Sequence, residues 1–140
     1  MNELSLEAMI NLGMTVDDSV TLVPNDKFIT VQRTHAFDAV LSNNVKIGYF
    51  EVYQGYRLSW SHNVGEVGIY VKPQFRGQGY AKKIYEAALK TLSNQDFLYA
   101  IVNEKNETSM KLHQSLGFKQ IRRIPDIGGI TPEFAVFRVQ

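Results

Sequence analysis

Val71-Lys72-Pro73-Gln74-Phe75-Arg76-Gly77-Gln78-Gly79-Tyr80-Ala81 reads as the end of a strand, a glycine-rich turn and the start of a helix. Upstream, Val67, Ile69 and Val71 alternate at period two within Glu66 to Val71, which sets Glu66, Gly68 and Tyr70 on the opposite face of a strand. Downstream, Ala81, Ile84, Tyr85, Ala88, Leu89 and Leu92 recur at helical spacing, while Lys82, Lys83, Glu86 and Lys90 fall on the other side. Between the two, Gly77 and Gly79 remove side chains where backbone N–H groups can approach an anion, and a helix N-terminus adds a favourable dipole. The stretch is a candidate phosphate cradle. Taken alone it is equally an ordinary strand-to-helix loop, because a lone glycine motif matches many turns.

Composition narrows the partners. With 140 residues and 44% hydrophobic content, the chain suits one domain, residues 1–140, that buries a core without metal or disulfide staples. A net charge of +1 gives no bulk attraction to nucleic acid or anionic membrane, although Arg76, Lys82 and Lys83 together favour a phosphorylated small ligand. For Lys82 and Lys83 a solvated helix start is the favoured reading over ligand contact. The absence of cysteine excludes disulfides, thiolate metal sites and a covalent cysteine intermediate. No basic segment followed by a long apolar run opens the chain, and no run of 18 apolar residues occurs, so the expectation is a soluble cytoplasmic protein.

The remaining elements follow in order. Leu4, Leu6, Met9, Ile10 and Leu12 fit a short helix ending at Gly13. Val20 to Val23 and Phe28 to Val31 are β-rich pieces separated by the turn formers Pro24-Asn25-Asp26, and the second is expected to be a strand. Phe37 to Leu41 and Lys46 to Tyr53 read as an antiparallel hairpin closed by Ser42-Asn43-Asn44, and Tyr56 to Trp60 is a further candidate strand. After the amphipathic helix, the apolar run Phe97 to Val102 fits a strand buried on both faces and, across a helical crossover, parallel to the strand ending at Val71. A polar loop from Asn103 to Asn106 leads to a second helix carrying Met110, Leu112, His113 and Leu116, with Thr108 or Ser109 near its start and Gly117 at its close. Phe118 to Ile124 and Phe134 to Val139 complete the chain as strands joined by a loop holding Pro125 and Pro132. The class is α+β, or mixed α/β, built on one mixed, mostly antiparallel sheet.

With these elements placed, the sequence resembles the GNAT superfamily of acyl-CoA-dependent N-acetyltransferases. Gln74, Gly77 and Gly79 fit that family's motif of Arg or Gln, two residues, Gly, one residue, Gly or Ala, and the flanking Val71-x-Pro73 and Arg76 to Ala81 are similar too. A second match lies at Asn103, Asn106, Ser109, Leu112 and Leu116-Gly117-Phe118. Together they span Glu66 to Phe118, and two spaced motifs on the expected elements are far more specific than one.

The resemblance implies acetyl-CoA as acetyl donor, direct transfer to an amine, and no metal. Gln74 and the backbone of Arg76, Gly77, Gln78, Gly79, Tyr80 and Ala81 would hold the pyrophosphate. Ile69, Tyr70 and Val71 would offer a strand edge to the pantetheine arm, and Asn103 and Asn106 side-chain hydrogen bonds from the far side, unless they are loop and cap residues. Such chemistry needs a base for the amine and a proton for the departing thiolate. Glu66 is the candidate base, or simply an exposed strand residue. For the acid, the family often places a tyrosine four residues before the Gly-Phe pair; His113 stands there, either as proton donor or as a packed helix residue. A coenzyme-binding or interaction module without transfer is the alternative reading. The acceptor, a small-molecule or peptide amine, stays open, and pairing of terminal strands between chains would make a homodimer.

Overall fold

The computed structural model describes residues 19–54, 64–92, 97–124 and 134–138. The helix expected at Leu4 to Leu12, the strand at Tyr56 to Trp60 and the loop from Pro125 to Pro132 lie outside them. Strands β1 (Val20–Pro24), β2 (Arg33–Leu41), β3 (Lys46–Gln54) and β4 (Val64–Val71) precede helix α1 (Tyr80–Thr91). Strand β5 (Phe97–Asn103), helix α2 (Glu107–Ser115) and strands β6 (Lys119–Ile124) and β7 (Phe134–Arg138) follow. The described residues form a seven-stranded sheet in the order β1-β2-β3-β4-β5-β7-β6. All neighbours run antiparallel except β4 and β5, whose parallel pairing is what the crossover through α1 requires.

The β2–β3 hairpin turns at Asn44, which takes φ of 66° in the left-handed region that asparagine tolerates. The Asn43 Oδ1 accepts from the Val45 N–H and closes the loop. Its strands then bury Ala39, Leu41, Ile47, Phe50 and Val52, the apolar alternation that seats one face on the core. Against that face α1 packs Ile84, Tyr85 and Ala88, each 1% exposed or less, while Lys82, Glu86 and Lys90 face outward. Each large apolar side chain buried this way contributes about 1.5–3 kcal/mol relative to exposure, which is why the 3.6-residue period decides the helix.

Phe28 to Val31 is not a strand. Asp26–Phe28 forms one 3-10 turn, the Ile29 N–H bonds to the Asp26 carbonyl and the Thr30 N–H to the Arg33 carbonyl. Those backbone groups are satisfied locally, so the β-branched residues gain no sheet partner and Val31 is 98% exposed. Strand β2 begins instead at Arg33. At the second helix, Asn106 rather than Thr108 or Ser109 is the N-cap: its Oδ1 accepts from the Ser109 N–H at 3.1 Å. Asn103 is the last residue of β5, not part of the loop.

Strand β4 sits between two unlike neighbours. It pairs with β3 along Gly65 to Val71 with no register shift, but with β5 only at Val64–Phe97, Gly65–Leu98 and Glu66–Tyr99. Past Glu66 the parallel strands part, β5 continuing beside β7. The sheet therefore opens a wedge whose apex is the Glu66–Tyr99 pair.

Candidate active site

Into that wedge opens a cleft of about 500 Å³. One wall is the stretch of β4 that β5 leaves unpaired, Ile69, Tyr70 and Val71, continued by Arg76, Gly77, Gly79, Tyr80 and Ala81 of the turn. The other is the first turns of α2, with Asn106, Thr108, Ser109 and Leu112. Two sequence segments some thirty positions apart, each motif-bearing, thus face one another across one space.

The turn has the backbone the sequence suggested. Gly77 and Gly79 take φ of 75° and 80°, a region that costs an L residue roughly 1–2 kcal/mol. A Cβ built on either would meet no atom within 4 Å, so the space beside both is open. Gly79 caps α1, whose first turn points N–H groups and the positive end of the dipole toward the turn. Phe75 and Tyr80, both 2% exposed and packed edge to face at 6.0 Å, anchor the turn to the core. Arg76 folds back: its Nε donates to the Val71 carbonyl at 2.8 Å and its guanidinium lies 5.4 Å from the Tyr70 ring centre.

Some candidates stand outside the cleft wall. Gln78 donates through Nε2 to the Gln74 backbone carbonyl, so the exposed Gln78 side chain braces the turn. Asn103 Oδ1 accepts from the Lys105 N–H, and the Asn106 oxygen is spent on its cap; each carboxamide thereby shapes the loop that leads into α2.

His113 lies behind the cleft wall, 3% exposed. Its Nδ1 is 2.7 Å from the Ser109 carbonyl, which only accepts, so Nδ1 carries the proton; Nε2 then accepts from the Tyr85 hydroxyl at 2.6 Å. The ring stacks on Phe137 at 5.6 Å and meets Tyr85 and Phe118 edge to face. Burial depresses the His113 pKa, partly offset by the Ser109 bond, and burial pushes the Tyr85 hydroxyl upward.

Glu66 is 4% exposed at the wedge apex. Because the β3–β4 ladder is regular, strand parity holds: Glu66 shares a face with its cross-strand partners Tyr53 and Tyr99, as Gly68 does with Glu51 and Tyr70 with Tyr49. This face is opposite α1. On it Tyr53 donates to Glu51 Oε2 at 2.6 Å and accepts from Arg33 Nε at 3.1 Å. Tyr49 and Tyr70 stack at 5.2 Å. Sequence reasoning missed this polar face, although the alternation of Tyr49, Glu51 and Tyr53 along β3 was its available signal. It also missed Thr108, read only as a possible start of the helix, as lining of the cleft.

The architecture and the cleft define an acetyltransferase family. Residues 10–118 match the acetyltransferase (GNAT) family, and the chain belongs to it. It is 26% identical over 93 residues to the L-amino acid N-acyltransferase MnaT of Escherichia coli (strain K12), covering 65% of this chain and 51% of that protein. To the L-methionine sulfoximine/L-methionine sulfone acetyltransferase of Salmonella typhimurium (strain LT2) it is 25% identical over 93 residues, covering 65% and 52%. The chain thus spans about half the length of these relatives. In fold it is similar to a spermidine N-acetyltransferase SpeG chimera from Vibrio cholerae and hSSAT, with a TM-score of 0.64 at 21% identity over 75% of this chain and 65% of that one. Among the described residues no group of three or more His, Asp or Glu is placed to hold a metal, and no helix is long and apolar enough to cross a membrane.

Proposed function

We propose that this chain transfers an acetyl group from acetyl-CoA to a primary amine. The observation that carries the reading is the wedge between β4 and β5, with the glycine turn at one end and Glu66 at the apex. The residues fit the donor: Gly77 and Gly79 leave open space beside backbone N–H groups at a helix N-terminus, as a pyrophosphate requires, and the β4 edge beyond Glu66 offers N–H and C=O groups to an amide-bearing arm. When bound, acetyl-CoA supplies the acetyl group on a thioester.

The chain's own part is to orient and to move one proton. An amine attacks as the free base, so a carboxylate at the apex has the task of taking its proton, and Glu66 is the group there. In the balanced reaction the N–C bond forms as the C–S bond breaks, and the proton lost by the amine equals the one gained by the thiolate. His113 we assign to support rather than to proton donation, since both ring nitrogens are engaged within the core and it stands behind the cleft wall. Its bond to Ser109 steadies the turn of α2 that borders the cleft.

Calorimetry with acetyl-CoA, followed by thiol release with a broad panel of amines, tests the reading. Binding and amine-dependent release support it. No binding by folded protein at millimolar acetyl-CoA would sink it, and binding with no release from any amine would favour the module without transfer.

A further inference from the structure

A second cavity, of about 310 Å³, lies on the sheet face opposite α1, over β2 and β3 and under the turn that follows β1. Phe28 and Tyr49 are the aromatic residues that line it from this side, while the Phe37 ring, paired with Phe50, belongs to the core face. Its charges are Arg33 and Lys46 against Asp38 and Glu51, two of each sign. They are organised in pairs: Lys46 Nζ lies 2.9 Å from Asp38 Oδ1, and Arg33 Nε 3.5 Å from Glu51 Oε1. Asn25 donates to the other Asp38 oxygen, and Tyr53 to the other Glu51 oxygen, so each carboxylate is held in place by a neutral group as well as a cation.

Two contacts tie this cavity to the cleft. Tyr49 lines the cavity, Tyr70 lines the cleft, and their rings stack at 5.2 Å, so the two spaces adjoin at one aromatic pair. Glu51 reaches across to β4: a Cβ at Gly68 would lie 3.6 Å from Glu51 Oε2, and Gly68 is two residues from Glu66 on the same strand face. The distance is one of ordinary van der Waals contact, so the Glu51 carboxylate lies against the strand that borders the cleft.

We propose that this cavity is the acceptor site and that its ligand is a small zwitterionic amine of the amino-acid type, ammonium toward Glu51 and carboxylate toward Arg33 and Lys46. This rests on the transfer reading above for its location but on the charge pattern for its content. A zwitterion answers both signs of the cavity. A polyamine would meet Asp38 and Glu51 but would bring its remaining charges against Arg33 and Lys46, and a like charge held in a half-buried space is disfavoured. The volume is at the low end for ligand pockets, which suits one amino acid and not a folded peptide.

The test uses the full chain with saturating acetyl-CoA. Standard L-amino acids are screened by calorimetry and by thiol release, and the best of them is compared with its decarboxylated amine, its deaminated acid and spermidine. The expected result is binding of the amino acid at least about tenfold tighter than any of the three. Arg33→Gln and Lys46→Met should each reduce the preference for amino acid over decarboxylated amine by about tenfold, with folding checked by thermal melting. Binding of no amino acid, tighter binding of spermidine or of the plain amine, or a preference unmoved in both folded variants would overturn the assignment. Amino-acid binding without thiol release would uphold the site and refute transfer, so the two readings fail separately.

Discussion

Glu66 and Tyr99 face each other across the last pair that strands β4 and β5 make before they part. The pair sets one carboxylate at the point where the wedge closes, 4% exposed and on the face away from α1. Glu66→Gln preserves shape and removes the proposed base. Steady-state turnover of the variant should fall by about 10²- to 10⁴-fold while acetyl-CoA affinity by calorimetry changes little. Equal turnover in variant and wild type would move the base elsewhere.

Gly79 carries two separable demands, on conformation and on space. At φ of 80°, Gly79→Val is strained by roughly 1–2 kcal/mol, readable in urea melts. The added side chain also stands in the open space beside the turn, so acetyl-CoA affinity should fall by more than that strain alone would remove. A variant that melts earlier yet binds as tightly would mean the turn does not touch the donor.

His113 and His35 make stability depend on pH. Burial depresses both pKa values, so near and below the ordinary histidine range the unfolded chain binds protons that the folded chain refuses. Stability is therefore full above about pH 6.5 and declines as pH falls below it, with a slope of at most about 1.4 kcal/mol per pH unit for each histidine, levelling off below the folded pKa values. Urea melts from pH 8 to 5 measure the slope. His113→Asn should flatten it, and should lower stability at pH 7 through the lost ring packing against Phe118 and Phe137.

Gly48 has no freedom to change, for a reason unrelated to dihedral preference. A Cβ there would lie 1.9 Å from the Tyr70 carbonyl oxygen, where Gly48 and Val71 form the end pair of the β3–β4 ladder. Gly48→Ala should cost about 3 kcal/mol or more and separate Tyr49 from Tyr70. Chemical denaturation measures the first, and near-ultraviolet circular dichroism of the tyrosines the second.

What could be read in the chain was what is local. Helix α1 and its glycine turn are written in consecutive residues, because helical period and turn chemistry act over a few positions, and Asn103 to Phe118 is similarly compact. The meeting of Glu51 with Gly68, or of His113 with Tyr85 across 28 positions, depends on strand register and helix packing that no short window contains. Spacing set His113 where the family has a tyrosine, yet its surroundings are supplied by Tyr85, Phe118 and Phe137. Phe28 to Val31 was misread for the converse reason. Its β-branched residues carry strand propensity, but propensity is realised only beside a partner, and the local turn took the backbone bonds first.

The short parallel ladder has a mechanical side. β1 to β4 form one continuous antiparallel raft, and β5, β7 and β6 another, riveted together at three residue pairs. On the proposed reading, a donor seated in the wedge would touch both β4 and α2 and act as a strut between them. Heat resistance should then follow the supply of donor, rising by about 2.7 kcal/mol at a hundredfold excess over the dissociation constant. Amide hydrogens along Val67 to Val71 should slow their exchange in step, which would make this strand edge a gauge of how well the cell is stocked with activated acetyl groups.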